Sequence, residues 1–179
     1  GSEKVTLTNV KFNDDVNGYN GFEIGLSSDA LPKYVNIKDC DFRGTLTNNA
    51  ILIFGTQDNA VINIENCHFG RISNALRISN KTNATNVTIN VKNCSVDEWD
   101  VRKEWEGFMI CEDYTSGTVA LEQSNNLFAS SKITVNFTNL THNGEKITAD
   151  YEGQICYVWY DNGNKKETDK NRIPTINFL

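Results

Sequence analysis

The sequence predicts an all-β chain wound as a single-stranded parallel β-helix of about five to six coils. Three observations predict it. First, one eight-residue phrase recurs: residues 5–12 read Val-Thr-Leu-Thr-Asn-Val-Lys-Phe, 35–42 Val-Asn-Ile-Lys-Asp-Cys-Asp-Phe and 62–69 Ile-Asn-Ile-Glu-Asn-Cys-His-Phe. It returns at 89–96 as Ile-Asn-Val-Lys-Asn-Cys-Ser-Val and at 135–142 as Val-Asn-Phe-Thr-Asn-Leu-Thr-His. Successive copies start 30, 27, 27 and 46 residues apart, a period that means stacked repeats. Second, a further apolar segment follows each copy: Phe22–Ile24, Ile51–Ile53, Leu76–Ile78, Phe108–Ile110 and Ile155–Tyr157. Third, Asn, Thr, Val and Ile dominate while proline is confined to Pro32 and Pro174, a mixture suited to many short strands and sharp turns.

The first strand of each coil follows from alternation. Val35 and Ile37 point to one face, Asn36 and Lys38 to the other. At Asp39 the phase breaks, because Cys40 and Phe42 are apolar and out of step with Val35 and Ile37. One residue in left-handed conformation at Asp39 restores inward pointing. Asn9, Asn66, Asn93 and Asn139 hold the same place, and Asn tolerates that conformation. The second strand therefore starts after an Asn bend. The third is the later apolar segment, preceded by a loop of variable length. Equivalent residues are expected to stack about 4.8 Å apart. That gives interior ladders Val5/Val35/Ile62/Ile89/Val135 and Val10/Cys40/Cys67/Cys94/Leu140. The outward position of the third segment is expected to read Glu23, Leu52, Arg77, Met109, Cys156. Apolar Leu52 and Met109 there call for cover by a loop or another chain, and a homo-trimer is one such arrangement.

Two stretches leave the rhythm. Residues 97–106, charged and bearing Trp99 and Trp105, read as an insertion. The gap from Cys111 to Lys132 is expected to hide a degenerate coil around Val119–Leu121 and Leu127-Phe128. Residues 3–142 thus form the regular coils and 143–179 the last coil and a cap, with Asn162-Gly163 as a hairpin turn. The whole of 3–179 is one domain, and Gly1-Ser2 reads as a tag remnant.

This pattern resembles the right-handed parallel β-helix of the pectate-lyase-like superfamily, including its Asn ladder, over roughly residues 3–160. The resemblance implies the handedness. It also implies a superfamily of lyases, hydrolases, tailspikes, adhesins and stalks, so fold alone assigns no activity. The polygalacturonase-like members carry Asn-Thr-Asp, Asp-Asp, Gly-His-Gly and Arg-Ile-Lys motifs. Here Asp14-Asp15 closes the first phrase, the histidines are His68 and His142, and Arg71-Ile72 is followed by Ser73, so none has its context. Calcium-dependent lyases need clustered acidic ligands beside an Arg; Glu23 and Arg77 share a row two coils apart, about 10 Å.

Composition narrows the rest. A formal net charge of −6 without a Lys/Arg cluster argues against a nucleic-acid partner, and no apolar run is long enough for membrane insertion. No cofactor motif is legible and no metal-ligand spacing. Cys40, Cys67 and Cys94 read as core filler stacked in file, which suits no metal. Cys111 and Cys156 are left open as a disulfide; five cysteines leave at least one unpaired within the chain. The residue after the bend gives the row Asp41, His68, Ser95, the chemistry of a hydrolase triad but without a nucleophile elbow or oxyanion hole; a solvated polar ladder is the plainer reading. Surface aromatics Trp99, Trp105, Tyr114, Trp159 and Tyr160 are the candidate ligand-binding residues, with sugar stacking weighed against simple packing. The expected function is a non-catalytic segment of a larger extracellular protein of a bacterial cell surface or virion. It would recognise a glycan or a host or cell-surface protein. A polysaccharide lyase or hydrolase fragment and a structural oligomerisation unit are the alternatives.

Overall fold

The computed structural model describes residues 3–12, 18–24, 31–43, 46–79, 84–99, 107–113, 133–160, 165–167 and 174–179. Among these every element is a strand, and the strands fall into three rows of stacked rungs. The first row contains β1 (Lys4–Thr8), β4 (Tyr34–Lys38), β7 (Val61–Glu65), β9 (Val87–Lys92), β12 (Ile133–Thr138) and β17 (Thr175–Phe178) in that spatial order, every neighbour parallel. The second row holds β2 (Lys11–Phe12), β5 (Asp41–Phe42), the start of β8 (His68–Ser79), β10 (Ser95–Trp99), β13 (Thr141–His142) and β14 (Glu145–Lys146). The third holds β3 (Gly18–Ile24), β6 (Leu46–Ile53), the end of β8, β11 (Gly107–Asp113), β15 (Cys156–Tyr160) and β16 (Lys165–Glu167). Parallel neighbours are a whole coil apart in sequence, which is the signature of a parallel β-helix; β14 and β16 instead pair antiparallel with the strand just before them.

The bends form as the sequence requires. Asn9, Asp39, Asn66, Asn93 and Asn139 all have positive φ, between 51° and 56°. Each turns the chain so that the next residue points inward, and Cys40, Cys67 and Cys94 are each 2 % exposed. The bend side chains also bond along the axis: Asn66 Nδ2 donates to Asp39 Oδ1 at 2.9 Å, Asn93 to Asn66 at 3.3 Å and Asn139 to Asn93 at 3.1 Å. Asn59 and Asn86 make a further left-handed bend ahead of β7 and β9.

Two polar columns run up the outer face of the first row. In one, Asn63, Asn90, Asn136 and Asn177 each donate to the Asn one rung earlier, beginning with Asn36, every bond 2.9 Å. In the other, Glu65 lies between Lys38 (3.6 Å) and Lys92 (3.7 Å). Inside, one chain of rings spans the stack: Phe12–Phe42 at 4.6 Å, Phe42–Phe69 at 5.1 Å, Phe69–Phe108 at 5.8 Å, Phe108–Phe137 at 5.3 Å and Phe137–Phe178 at 5.7 Å. Offset or edge contacts of this kind add about 0.5–1.5 kcal/mol each beyond burial.

Three expectations need correction. The third row is out of step with the sequence reading by one residue at its later coils. Its registered columns are Phe22/Ile51/Leu76/Met109/Cys156 and Glu23/Leu52/Arg77/Ile110/Tyr157. Met109 is therefore interior and fully buried, and Ile110 takes the outward place. Leu52 and Ile110 are only 4 % and 3 % exposed, so the single chain already covers them. Next, β9 pairs directly with β12, β10 with β13 and β11 with β15. No complete coil stands between them, and residues 114–132 lie outside the described residues. Finally, the disulfide left open between Cys111 and Cys156 does not form: Cys111 is opposite Val158 and Cys156 opposite Met109, and no cysteine is in a disulfide.

Two stacked asparagines of the third row are interior. Asn20, Asn49 and Asn74 are in register, Asn49 and Asn74 are fully buried, and Asn74 Nδ2 donates to Gly107 O at 3.0 Å. Gly107 has φ +146°, and a Cβ there would lie 2.8 Å from Gln154 O, so only glycine fits this crossing.

Candidate functional site

The residue after each bend opens the second row, and registration lines up Lys11, Asp41, His68, Ser95 and Thr141. Asp41 and His68 are bonded, Nδ1 to Oδ1 at 2.9 Å, and Arg43 Nε donates to the other Asp41 oxygen. The second ring nitrogen of His68 faces Asp97 Oδ2 at 2.9 Å. Asp97 follows Ser95 by two residues in β10, so the strand period puts both on the outer face. Ser95 is in register with His68 but is not its partner.

An imidazole with a carboxylate at each nitrogen is favoured as imidazolium, the only form that donates from both. Burial by itself would depress the His68 pKa. The bonds to Asp41 and Asp97 and the two carboxylate charges outweigh that and hold it above its ordinary value. Burial pulls Asp41 the other way, yet the bonds from His68 and Arg43 keep its carboxyl below the usual range. A base that activates Ser95 needs a neutral ring with a lone pair directed at the hydroxyl. This arrangement is instead a charge clasp across three coils, Arg43–Asp41–His68–Asp97.

The aromatic candidates divide. Trp99 is half-buried against the core, stacks on His142 with centroids 4.9 Å apart, and donates Nε1–H to Tyr151 Oη at 3.2 Å. Tyr151 Oη in turn lies 3.1 Å from His142 Nδ1. Trp99 thus ties β10 to the segment that follows β14, with one ring face and its donor engaged in the chain itself. Trp105 and Tyr114 lie outside the described residues. Trp159 and Tyr160 are in β15, opposite Glu112 and Asp113 on one side and Lys166 and Lys165 on the other. Their side chains lie outside what the structure describes.

The sequence pointed to Asp97 only as a carboxylate beside the surface aromatics, able to hold a sugar hydroxyl, and gave no role to His142 or Tyr151. Asp97 was legible in principle, since period two from Ser95 places it on the His68 side. Tyr151 was not, because it sits in an irregular stretch with no repeat to phase it.

The cysteine file is tied to the main chain. Each thiol bonds a main-chain carbonyl two residues back, Cys40 to Lys38 (3.2 Å), Cys67 to Glu65 (3.3 Å) and Cys94 to Lys92 (3.4 Å). Burial pushes the Cys40 thiol up, away from the nucleophilic thiolate. Among the described residues no group of three or more His, Cys, Asp or Glu is arranged to hold a metal ion. No described helix is long and apolar enough to cross a membrane. A cavity of about 260 Å³ opens near the end of β17, floored by Phe137, Ile147 and Phe178 and rimmed by Asn139 and Asp150.

Neither a family model, nor a curated protein, nor a solved structure matches the chain.

Proposed function

We propose that the chain is a non-catalytic scaffold: a rigid β-helix segment of a larger bacterial surface protein or phage tail or fibre protein. One observation carries this reading. The outward polar side chains are spent on one another along the axis, in the Asn36–Asn177 column, the Lys38–Glu65–Lys92 column and the Arg43–Asp41–His68–Asp97 clasp. Groups bonded to their neighbours along the axis stiffen a rod, as a scaffold requires. Resemblance to the pectate-lyase-like superfamily supports the extracellular setting by fold-level analogy. Recognition of a glycan or a cell-surface protein is assigned to the insertion around Trp99 and Trp105 and to Trp159-Tyr160.

The runner-up is a polysaccharide lyase or hydrolase fragment, favoured only by the His68 cluster. Incubation with uronate polymers, with and without calcium, distinguishes them at the absorbance of unsaturated products and by reducing ends. The scaffold reading expects no turnover and no change in His68→Gln. Turnover abolished by that substitution would overturn it. A broad glycan array tests recognition separately, and an array without a binder removes that part of the proposal.

A further inference from the structure

The asparagines of the stack differ in how firmly their carboxamides are held. At the bends, Asn66, Asn93 and Asn139 each donate Nδ2–H to the bend residue one rung earlier. Each is followed by a residue whose side chain screens the next peptide nitrogen: Cys67, Cys94 and Leu140.

Asn143 has neither restraint. It is exposed at the tip of the β13–β14 hairpin and is followed by Gly144. Among the described residues neither its carboxamide nor the Gly144 N–H has a hydrogen-bond partner. Its own N–H is tied down, to Val96 O at 2.8 Å. A Cβ built on Gly144 would meet nothing within 4 Å, so open space surrounds the peptide that joins the two residues. The ladder behind the tip is two pairs long, Thr141 with Lys146 and His142 with Glu145, and β14 is exposed. Local opening of such a tip costs little.

We propose that Asn143 is a site of spontaneous modification, deamidated through a cyclic imide to isoaspartate, which releases β14 from β13. Water is the co-reactant. The Gly144 nitrogen gives up its proton to solvent base and attacks Cγ of Asn143. The N–Cγ bond forms, the bond from Cγ to the amide nitrogen breaks, and that nitrogen takes up a proton and leaves as ammonia. Water then opens the five-membered ring at one of its two carbonyls. Opening at the main-chain carbonyl leaves the chain running through Cβ and Cγ as isoaspartate, and opening at Cγ gives aspartate. Either product carries a new carboxylate. Isoaspartate also lengthens the loop by one main-chain carbon, and loop length sets hairpin turn type and register. Loss of that register moves His142, whose ring stacks on Trp99 and meets Tyr151 Oη.

Asn20-Gly21 is the same dipeptide in a different setting, inside β3, where pairing with β6 sets Asn20 opposite Asn49. Timed incubation of the whole chain in mildly alkaline buffer, followed by peptide mapping, uses that contrast. The peptide holding residue 143 is expected to gain about 1 Da and to accept enzymatic methylation specific to isoaspartate. Its conversion is expected to speed up with pH and to outpace that at Asn20 and Asn93 by about tenfold or more, because those two open only with their strands. Gly144→Ala puts a methyl group beside the attacking nitrogen and is expected to suppress conversion to a similar degree. Freshly prepared Asn143→Asp adds the charge without the extra carbon and is expected to keep the cross-strand magnetic-resonance contacts between His142 and Glu145. The isoaspartate form is expected to lose them. Conversion at 143 no faster than at Asn93, equal conversion in Gly144→Ala, aspartate without isoaspartate, or an isoaspartate form that keeps those contacts would each overturn the inference.

Discussion

The two ends of the stack solve the same problem differently. At the C-terminal end the second row turns back at Asn143-Gly144, whose φ values of 49° and 78° fit a type I′ hairpin, and finishes on charged β14. The third row finishes on β16, antiparallel and carrying Lys165, Lys166 and Glu167. At the N-terminal end, the first described strand of each row runs forward and carries half-buried apolar residues. The winding itself is identical along the stack, since the same Asn bend serves each coil. What differs is how the outermost described strands are paired, parallel at one end and closed by hairpins at the other.

Interior and end substitutions should separate most widely at the aromatic chain. Phe69→Ala removes a fully buried ring and is expected to cost about 3–5 kcal/mol. Phe12→Ala, at the open end, is expected to cost less than half as much, both read by denaturant unfolding. Equal losses would mean that Phe12 is as enclosed as Phe69 and that the end is not open.

The buried amide comes next. Asn74→Leu deletes the donor to Gly107 O inside the middle coils and is expected to cost about 1–3 kcal/mol in the same measurement. The bends give a smaller contrast. Asn93→Ala puts an ordinary side chain at φ 51° and should cost about 1–2 kcal/mol, while Asn93→Gly should cost only a few tenths. The same pair at Asn9 should show smaller changes, because fewer contacts depend on the terminal coil.

The smallest effect is the pH dependence of the clasp. The folded pKa of His68 lies above its unfolded value near 6.5, so its stabilisation is complete below that value and is lost as pH rises through the folded pKa. Asp41 has the opposite sign: its contribution is present above the unfolded value near 3.8 and is lost as pH falls through its lowered folded pKa. The melting temperature of the wild type is expected to fall from pH 6.5 upwards through the folded pKa. His68→Gln should flatten that slope, and identical slopes would show that the clasp is not charged.

The bends were legible because each coincides with a break in apolar phase at an Asn or Asp, and all five carry positive φ. The third row was misread because Phe108-Met109-Ile110 is apolar throughout and shows no phase; Gly107, pinned opposite Asn74, sets it. The polar column Asn20/Asn49/Asn74 was hidden by loops of unequal length, which shift equivalent residues out of any fixed period. Asn143-Gly144 carried the same turn signal as Asn162-Gly163 and was open to reading. The row Asp41/His68/Ser95 was legible as a register, but a row does not reveal which atoms bond. Asp97, two residues along, decides that.

Residue-resolved amide exchange on the chain tests the asymmetry most directly. Protection is expected to peak in β7 and β9 and to fall steeply at β1, where Val5 and Leu7 stay slower than Lys4, Thr6 and Thr8. Uniform protection along β1, equal to that of β7, would contradict an open N-terminal end.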